Sequence, residues 1–234
     1  MSSYAYPAGL GPDVTRVELG PDLAGDALDR LVGNVDGKRV LDLGLGNGSN
    51  AVAMALAGAR VIAVDTDGAR IAAARELAEL HEVRIELHHG DLAELPFIRA
   101  DAIDLALAVY SLSEVEDLAH VFRQVERVLR NEAPLLVTLP HPLSYCTDTD
   151  SPGALRISRS LFSDEPVSWS GAGKGGTLLP HRLSDVFLAM TRSNLRVDAL
   201  MEPECTVNDD SPYRSSKRGW IPMSMVIRGR KEGV

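Results

Sequence analysis

The stretch Val40-Leu41-Asp42-Leu43-Gly44-Leu45-Gly46-Asn47-Gly48-Ser49 decides the fold of this chain. It reads as a short apolar strand that runs into a glycine-rich turn, and an alanine-rich helix over residues 50–57 follows directly. Glycines in such a turn let the backbone approach a ligand closely, and the first N–H groups of the helix then face that ligand. The stretch therefore predicts a strand–turn–helix unit that binds an anionic or polar ligand.

The same alternation of strand and helix continues along the chain. Helical periods cover residues 67–80 and 113–130, and Ser113 with Glu116 forms a capping-box pattern at the start of the second of these helices. Apolar runs typical of buried strands cover residues 38–43, 60–65, 83–91, 102–111 and 134–142. Strands that read as continuous apolar runs between helices are typical of a parallel sheet with helices on both faces.

The C-terminal part departs from that alternation. A helix face beginning at Leu183 is followed by two strand-like segments, 195–201 and 222–229, that no helical period separates. Without a crossover helix, these two strands are expected to pair antiparallel. The sequence therefore predicts an α/β fold: a doubly wound, mostly parallel seven-stranded sheet with an antiparallel last strand.

Domain organisation can be inferred from the same pattern. No linker divides residues 1–234, so we expect a single domain. Residues 1–21 lack periodicity and read as an N-terminal arm, and residues 143–182 are rich in Ser, Gly, Pro and Asp. Loops on a rigid scaffold carry specificity, so residues 143–182 are predicted to form a lid over the substrate.

Composition excludes several classes of protein. The chain has 234 residues, 45% of them hydrophobic, which excludes disorder of the whole chain. A net charge of −9 and 5% aromatic residues disfavour nucleic acid as a partner. Two cysteines give neither a disulfide framework nor zinc spacing. With no apolar leader and no membrane-spanning run, we expect a cytoplasmic protein that has no membrane partner and holds no metal.

An acidic residue after the second strand narrows the choice of ligand. Asp65 ends that strand beside the glycine-rich turn, where a carboxylate can accept both hydrogen bonds of a ribose diol. A dinucleotide fingerprint, G-x-G-x-x-G, is met at Gly44 and Gly46, but Ser49 stands at its third position. A further acid, Asp42, comes two residues before the first glycine.

The pattern D-x-G-x-G-x-G, with Asp65 and with Gly90-Asp91 after the third strand, resembles motif I and its companions in the class I S-adenosylmethionine-dependent methyltransferases. The resemblance covers residues 35–142 and implies that S-adenosylmethionine is the cofactor. It implies that Asp42, Gly44, Gly46 and Gly48 contact the methionine moiety of the cofactor and that Asp65 binds the ribose. Thr66, Asp91 and Leu92 would then contact the adenine, and Ala108 and Tyr110 would line the methyl-donor side.

The segments after strands four and five indicate the kind of acceptor. Neither an Asn-Pro-Pro-Tyr-like motif nor an acid directly follows strand four, which disfavours DNA amino-methylation and metal-dependent catechol-type chemistry. His141-Pro142 and His181-Arg182 resemble segments of small-molecule methyltransferases. We therefore predict a small-molecule acceptor and His141 as the catalytic residue, with substrate contacts from Tyr110, Trp169 and His181.

Three functions remain open from the sequence. The first is methyl transfer from S-adenosylmethionine to a small molecule. The second is a catalytically silent protein of the same fold that binds S-adenosylmethionine or S-adenosylhomocysteine and has a regulatory or assembly role. The third is a nicotinamide-dependent oxidoreductase, which the misplaced third glycine disfavours.

Overall fold

The structure of the chain is a computed structural model that describes residues 13–20, 23, 25–151, 154–171, 174–204, 217 and 219–233. Its centre is a seven-stranded sheet in the order β10-β11-β5-β4-β1-β2-β3. The strands of that sheet are β1 (Arg39–Leu43), β2 (Arg60–Asp65), β3 (Ile85–His89), β4 (Leu105–Val109), β5 (Pro134–Pro140), β10 (Leu195–Met201) and β11 (Ser224–Lys231).

Strand directions match the expectation from the sequence. Strands β1 to β5 pair with their neighbours in parallel, whereas β11 pairs antiparallel with both β5 and β10. The carboxyl ends of β1 to β5 and of β10 therefore meet at one edge of the sheet, where β11 begins. The predicted fold class is confirmed.

Helices cover both faces of the sheet and close two apolar cores. The helices are α1 (Asp26–Val32), α2 (Ser49–Leu56), α3 (Gly68–Leu80), α4 (Leu118–Val128), α5 (Pro142–Cys146) and α6 (Leu183–Arg192). One core lies against α4 and α6 and contains Phe122, Val125 and Met190. The other lies against α1, α2 and α3 and contains Leu28, Met54 and Ile71. Burial on both faces explains why the central strands read as uninterrupted apolar runs.

The helix predicted over 113–130 begins later than expected. Residues Ser111–Glu114 form a 3-10 helix, and α4 starts after Asp117, whose side chain accepts a hydrogen bond from the His120 N–H. The predicted capping box at Ser113 is therefore wrong. The reason is local: Tyr110 has a left-handed backbone with φ 58°, which turns the chain tightly at the end of β4 before a regular helix can start.

The segment 143–182 is more regular than its composition suggests. After α5 it forms two antiparallel hairpins, one from β6 (Thr147–Ser151) and β7 (Ala154–Ile157), the other from β8 (Val167–Gly171) and β9 (Lys174–Leu178). The second hairpin returns to the sheet edge, where the Leu179 N–H donates a 2.7 Å hydrogen bond to the Ser113 carbonyl.

Candidate functional site

The glycine-rich turn between β1 and α2 is built around left-handed glycines. Gly44, Gly46 and Gly48 have φ values of 87°, 62° and 82°, a region that side-chain-bearing residues rarely adopt. A Cβ atom on Gly44 would collide with Ser111, and one on Gly48 would lie 2.8 Å from the Ala74 Cβ. The turn is thus clamped between the chain that follows β4 and helix α3.

Asp65 lies at the end of β2 and is held beside that turn. Its carboxylate is 1% exposed. One oxygen, Oδ2, accepts a 2.8 Å hydrogen bond from the Leu45 N–H, and Oδ1 accepts one of the same length from the Asp67 N–H. Two backbone donors fix the orientation of the carboxylate. Each oxygen has a further lone pair, and the Arg70 guanidinium lies 3.5 Å from Oδ1.

Asp42 differs from Asp65 because part of its carboxyl group lacks a partner. It is 2% exposed, and its Oδ2 accepts no hydrogen bond from any residue that the structure describes. Burial, followed by the repulsion of the Asp65 carboxylate, raises the pKa of Asp42 from 3.8 to about 8. A cation placed beside this carboxyl group would favour its ionised form.

The loops after β2 and β3 complete this part of the edge. Thr66 is exposed, and its carbonyl lies 3.0 Å from His89 Nε2. Asp91 is exposed as well and uses Oδ1 to accept a hydrogen bond from the Ala93 N–H. Leu92 is buried in the core that packs on α4. A Cβ on Gly90 would meet nothing within 4 Å, so the space beside Asp91 is open.

Tyr110, which the sequence predicted to contact cofactor and substrate, is buried at the end of β4. Its side chain is 2% exposed, and its hydroxyl is hydrogen-bonded to the Ser224 hydroxyl at the start of β11. The N-terminal segment packs over it, since a Cβ on Gly20 would lie 2.6 Å from the Tyr110 hydroxyl oxygen. Ala108 is fully buried among the core residues next to α4, so its side chain contributes to packing there.

His141 begins α5 and has partners on both ring nitrogens. Its Nδ1 accepts a 3.1 Å hydrogen bond from the Leu143 N–H, so this side chain is the N-cap of the helix. Because Nδ1 accepts, the ring proton belongs on Nε2, which donates a 2.8 Å bond to Glu202 Oε1. In this arrangement neither nitrogen is free to take a proton from a methyl acceptor. The catalytic role of His141 stays a prediction, and the observed role is structural.

The other two predicted substrate contacts lie on the long insertion or next to it. His181 precedes α6, and its Nε2 lies 3.2 Å from the Leu112 carbonyl. Burial lowers the pKa of His181, which favours the neutral ring. Trp169 lies on β8, where its backbone pairs with Gly176.

Metal-binding clusters and membrane-spanning helices are absent from the described residues. These residues contain no group of three or more His, Cys, Asp or Glu side chains that could hold a metal ion. None of their helices combines the length and the apolar character that crossing a bilayer requires.

The sequence of this chain is similar to those of known methyltransferases. Residues 40–132 match the sequence model of the methyltransferase domain. The probable S-adenosylmethionine-dependent methyltransferase of Mycobacterium tuberculosis (strain H37Rv) is 31% identical over 139 residues, which are 59% of this chain and 49% of that protein. Residues 40–132 therefore form a methyltransferase domain of the class I S-adenosylmethionine-dependent type. It spans about half the length of the curated relatives that it matches.

Two further methyltransferases are similar to this chain, one in sequence and one in fold. The 27-O-demethylrifamycin SV methyltransferase of Amycolatopsis mediterranei is 36% identical over 108 residues, which cover 44% of this chain and 39% of that protein. The solved structure of an S-adenosylmethionine-dependent methyltransferase from Mesorhizobium loti superposes with a TM-score of 0.71 at 24% identity. That superposition covers 87% of this chain and 95% of the other, and at this identity it supports the fold alone.

The residues at the edge fit the cofactor of this methyltransferase family, S-adenosylmethionine. Its α-amino group is a cation of the kind that the unpartnered oxygen of Asp42 lacks. Its ribose diol has two donors for the lone pairs that remain on Asp65. At Gly44 and Gly48 a Cβ atom would collide with Ser111 and Ala74, so glycine is required for the turn to pack beside these carboxyl groups.

Sequence reasoning missed four residues at the carboxyl edge of the sheet. Arg70 on α3 contacts Asp65, and Ser111 donates a hydrogen bond to the Leu43 carbonyl. Glu202 contacts His141, and Ser224 contacts Tyr110. Spacing along helix α3 could have flagged Arg70, because residue Asp67 starts the helix and Arg70 follows one turn later. Pairs such as His141 with Glu202, which are 61 residues apart, leave no local signal.

Proposed function

We propose that this chain transfers a methyl group from S-adenosylmethionine to a small molecule. The observation that carries the proposal is the pair of buried carboxyl groups, Asp42 and Asp65, beside the glycine-rich turn at the carboxyl edge of the sheet. An α/β sheet binds its ligands at that edge. The methyltransferase domain over residues 40–132 and the relatives named above support the same chemistry.

The chain's own residues would divide the work of binding. Asp65, fixed by the Leu45 and Asp67 N–H groups, would accept the ribose hydroxyls. Asp42 would ionise and pair with the α-amino group, and the loops that carry Thr66, Asp91 and Leu92 would flank the adenine. The cofactor supplies a methyl group on a sulfonium whose leaving group is a neutral thioether. The protein's remaining task is to position the acceptor and exclude water.

The acceptor is proposed to be a small molecule that binds beyond β4 and β5. Several relatives are named for small-molecule methylation, among them a ubiquinone biosynthesis O-methyltransferase of Hahella chejuensis that is 32% identical over 99 residues, 42% of this chain and of that protein. A net charge of −9 disfavours a nucleic-acid acceptor. The 143–182 insertion exposes Ile157, at the end of β7, and Phe162, between the two hairpins; their exposed fractions are 81% and 75%. These apolar side chains support the proposed role of the insertion as a substrate lid.

A second candidate is favoured by one observation on the acceptor side. Both nitrogens of His141 and the hydroxyl of Tyr110 are already hydrogen-bonded within the protein. A chain of this kind could bind S-adenosylmethionine or S-adenosylhomocysteine without turnover and act in regulation or assembly. A general base is needed only where the acceptor must lose a proton, so the first candidate remains the better one.

The proposal is tested in two steps. S-adenosylhomocysteine at roughly a hundredfold excess over its Kd should stabilise the protein by about 2.7 kcal/mol, and NAD should not. Incubation with methyl-labelled S-adenosylmethionine and a small-molecule extract of bacteria should then move label into a product. Stabilisation by NAD alone would contradict the proposal, and binding of S-adenosylhomocysteine with no labelled product would support the second candidate.

A further inference from the structure

Arg70 lies among three carboxylates at the cofactor edge. In the first turn of α3, its guanidinium is 3.5 Å from Asp65 Oδ1, 3.6 Å from Asp67 Oδ2 and 3.8 Å from Glu114 Oε1. Asp65 ends β2, whereas Glu114 belongs to the 3-10 helix that follows β4. Since β1 lies between β2 and β4 in the sheet, Arg70 connects two segments on opposite sides of the glycine-rich turn.

The orientation of helix α3 places Arg70 over that turn. Ala74 is four residues later and therefore lies on the same face of the helix as Arg70. This Ala74 is the residue that a Cβ on Gly48 would meet at 2.8 Å. The face of α3 that carries Arg70 thus packs on the loop that approaches the cofactor, and the Arg70 side chain is 24% exposed there.

The ion pairs of Arg70 are long for their type. Charge-assisted N–H···O bonds have lengths of about 2.7–2.9 Å, and all three contacts of Arg70 exceed that range. Two backbone N–H groups already occupy part of the Asp65 carboxylate. The lone pairs that remain must serve either the Arg70 guanidinium or the hydroxyls of a ribose. A shorter hydrogen bond from a hydroxyl will displace a loosely held guanidinium.

We propose that Arg70 is a further residue of the cofactor site that sets its affinity, because it competes with the ribose of the cofactor for Asp65. The inference rests on the proposed function, in which Asp65 receives the ribose. In the free protein Arg70 holds Asp65 and Glu114 together across the turn. When the nucleoside binds, Arg70 gives up Asp65 and keeps Asp67 and Glu114, so part of the binding free energy is used to break the pair.

The test is calorimetric titration of the full chain with S-adenosylhomocysteine at about 10 mM and about 300 mM salt. This probe carries one ammonium and one carboxylate at neutral pH, so its own net charge adds little salt dependence. We expect the wild type to bind several-fold tighter at high salt, because salt screens the Arg70 pairs. Arg70→Gln should bind about three- to tenfold tighter than wild type at low salt, with a flattened salt dependence.

Two more variants make the result specific. Glu114→Gln removes a partner that Arg70 keeps when it gives up Asp65, so it should bind no tighter than the wild type at low salt, while Arg75→Gln on an exposed face of α3 should match the wild type. Unchanged or weaker binding by Arg70→Gln, or equal tightening by Arg70→Gln and Glu114→Gln, with normal binding by the wild type, would overturn this inference alone. Failure of every protein to bind S-adenosylhomocysteine would overturn the proposed function together with it.

Discussion

The carboxyl edge of the sheet has two halves that differ in how their polar groups are satisfied. In the donor half, at the ends of β1 to β3, the buried Asp42 has an unpartnered oxygen. In the acceptor half, around β5, β10 and β11, the Tyr110 hydroxyl pairs with Ser224, and both nitrogens of His141 are occupied. The donor half is therefore prepared for a ligand, whereas an acceptor that uses these groups must exchange hydrogen bonds that the protein makes with itself.

Two buried hydroxyls qualify this contrast. Ser113 Oγ and Thr138 Oγ1 have no hydrogen-bond partner among the described residues. Thr138 lies on β5 opposite Val226, two residues along the strands from the Ser224–Pro140 pair, so it shares a sheet face with Ser224. An acceptor that reached these hydroxyls would find unsatisfied groups without displacing His141.

The largest expected effect is on the donor half, from the loss of the Asp65 carboxylate. Asp65→Ala should weaken S-adenosylhomocysteine binding by about 1–3 kcal/mol, because a buried ribose diol loses its charged acceptor. Calorimetry of the variant measures this change. Asp67→Ala is the matched control: Asp67 caps α3, so its loss should lower stability by about 1 kcal/mol with a much smaller effect on affinity. Equal affinities for wild type and Asp65→Ala would remove Asp65 from the site.

The next largest effect is the pH dependence of S-adenosylhomocysteine affinity, which we expect from the ionisation of Asp42. Its pKa of about 8 in the free protein means that Asp42 is mostly protonated at pH 7, and pairing with an ammonium group requires it to ionise. Affinity for S-adenosylhomocysteine should therefore increase by up to roughly tenfold per unit as pH rises from 6 towards 8. Calorimetry in buffers of different ionisation enthalpy should also detect a proton released on binding.

Asp42→Asn tests the same residue through stability. The folded-state pKa of Asp42 lies above its unfolded value, so the wild type loses stability as pH rises from about 4 to 8. The variant lacks this loss, and its melting temperature relative to wild type should increase across that interval while its binding loses the pH slope. A pH-independent difference in melting temperature would show that Asp42 is already ionised in the folded protein.

The smallest expected effect is on the acceptor half. His141→Ala removes the N-cap of α5 and should lower the free energy of unfolding by about 1 kcal/mol, leaving S-adenosylhomocysteine affinity unchanged. His141→Asn supplies another capping side chain and should recover most of that stability. Urea unfolding measures both. A loss of S-adenosylhomocysteine affinity in either variant would place His141 in the donor half and break the contrast.

The two halves also differ in how far the sequence could predict them. The donor half lies in local segments: Asp42 lies on β1 near the glycine-rich turn, and Asp65 ends the next strand, so pattern and spacing could predict that these residues lie side by side. The acceptor half depends on contacts between distant segments, such as Tyr110 with Ser224 and His141 with Glu202. The hairpins within 143–182 could not be predicted either, because strands rich in Ser, Gly and Asp carry no apolar period. The late start of α4 followed from the left-handed turn at Tyr110, a conformation that residue type alone does not predict.

The most direct test of this account is a crystal structure of the protein with S-adenosylhomocysteine. We expect the ribose hydroxyls within hydrogen-bond distance of the Asp65 carboxylate, the α-amino group on Asp42 and the Arg70 guanidinium moved away from Asp65. The hydrogen bonds of His141 to Leu143 and Glu202 should be unchanged. A nucleoside bound away from the glycine-rich turn, or an Asp42 carboxyl group that still lacks a partner in the complex, would contradict the assignment of the donor half.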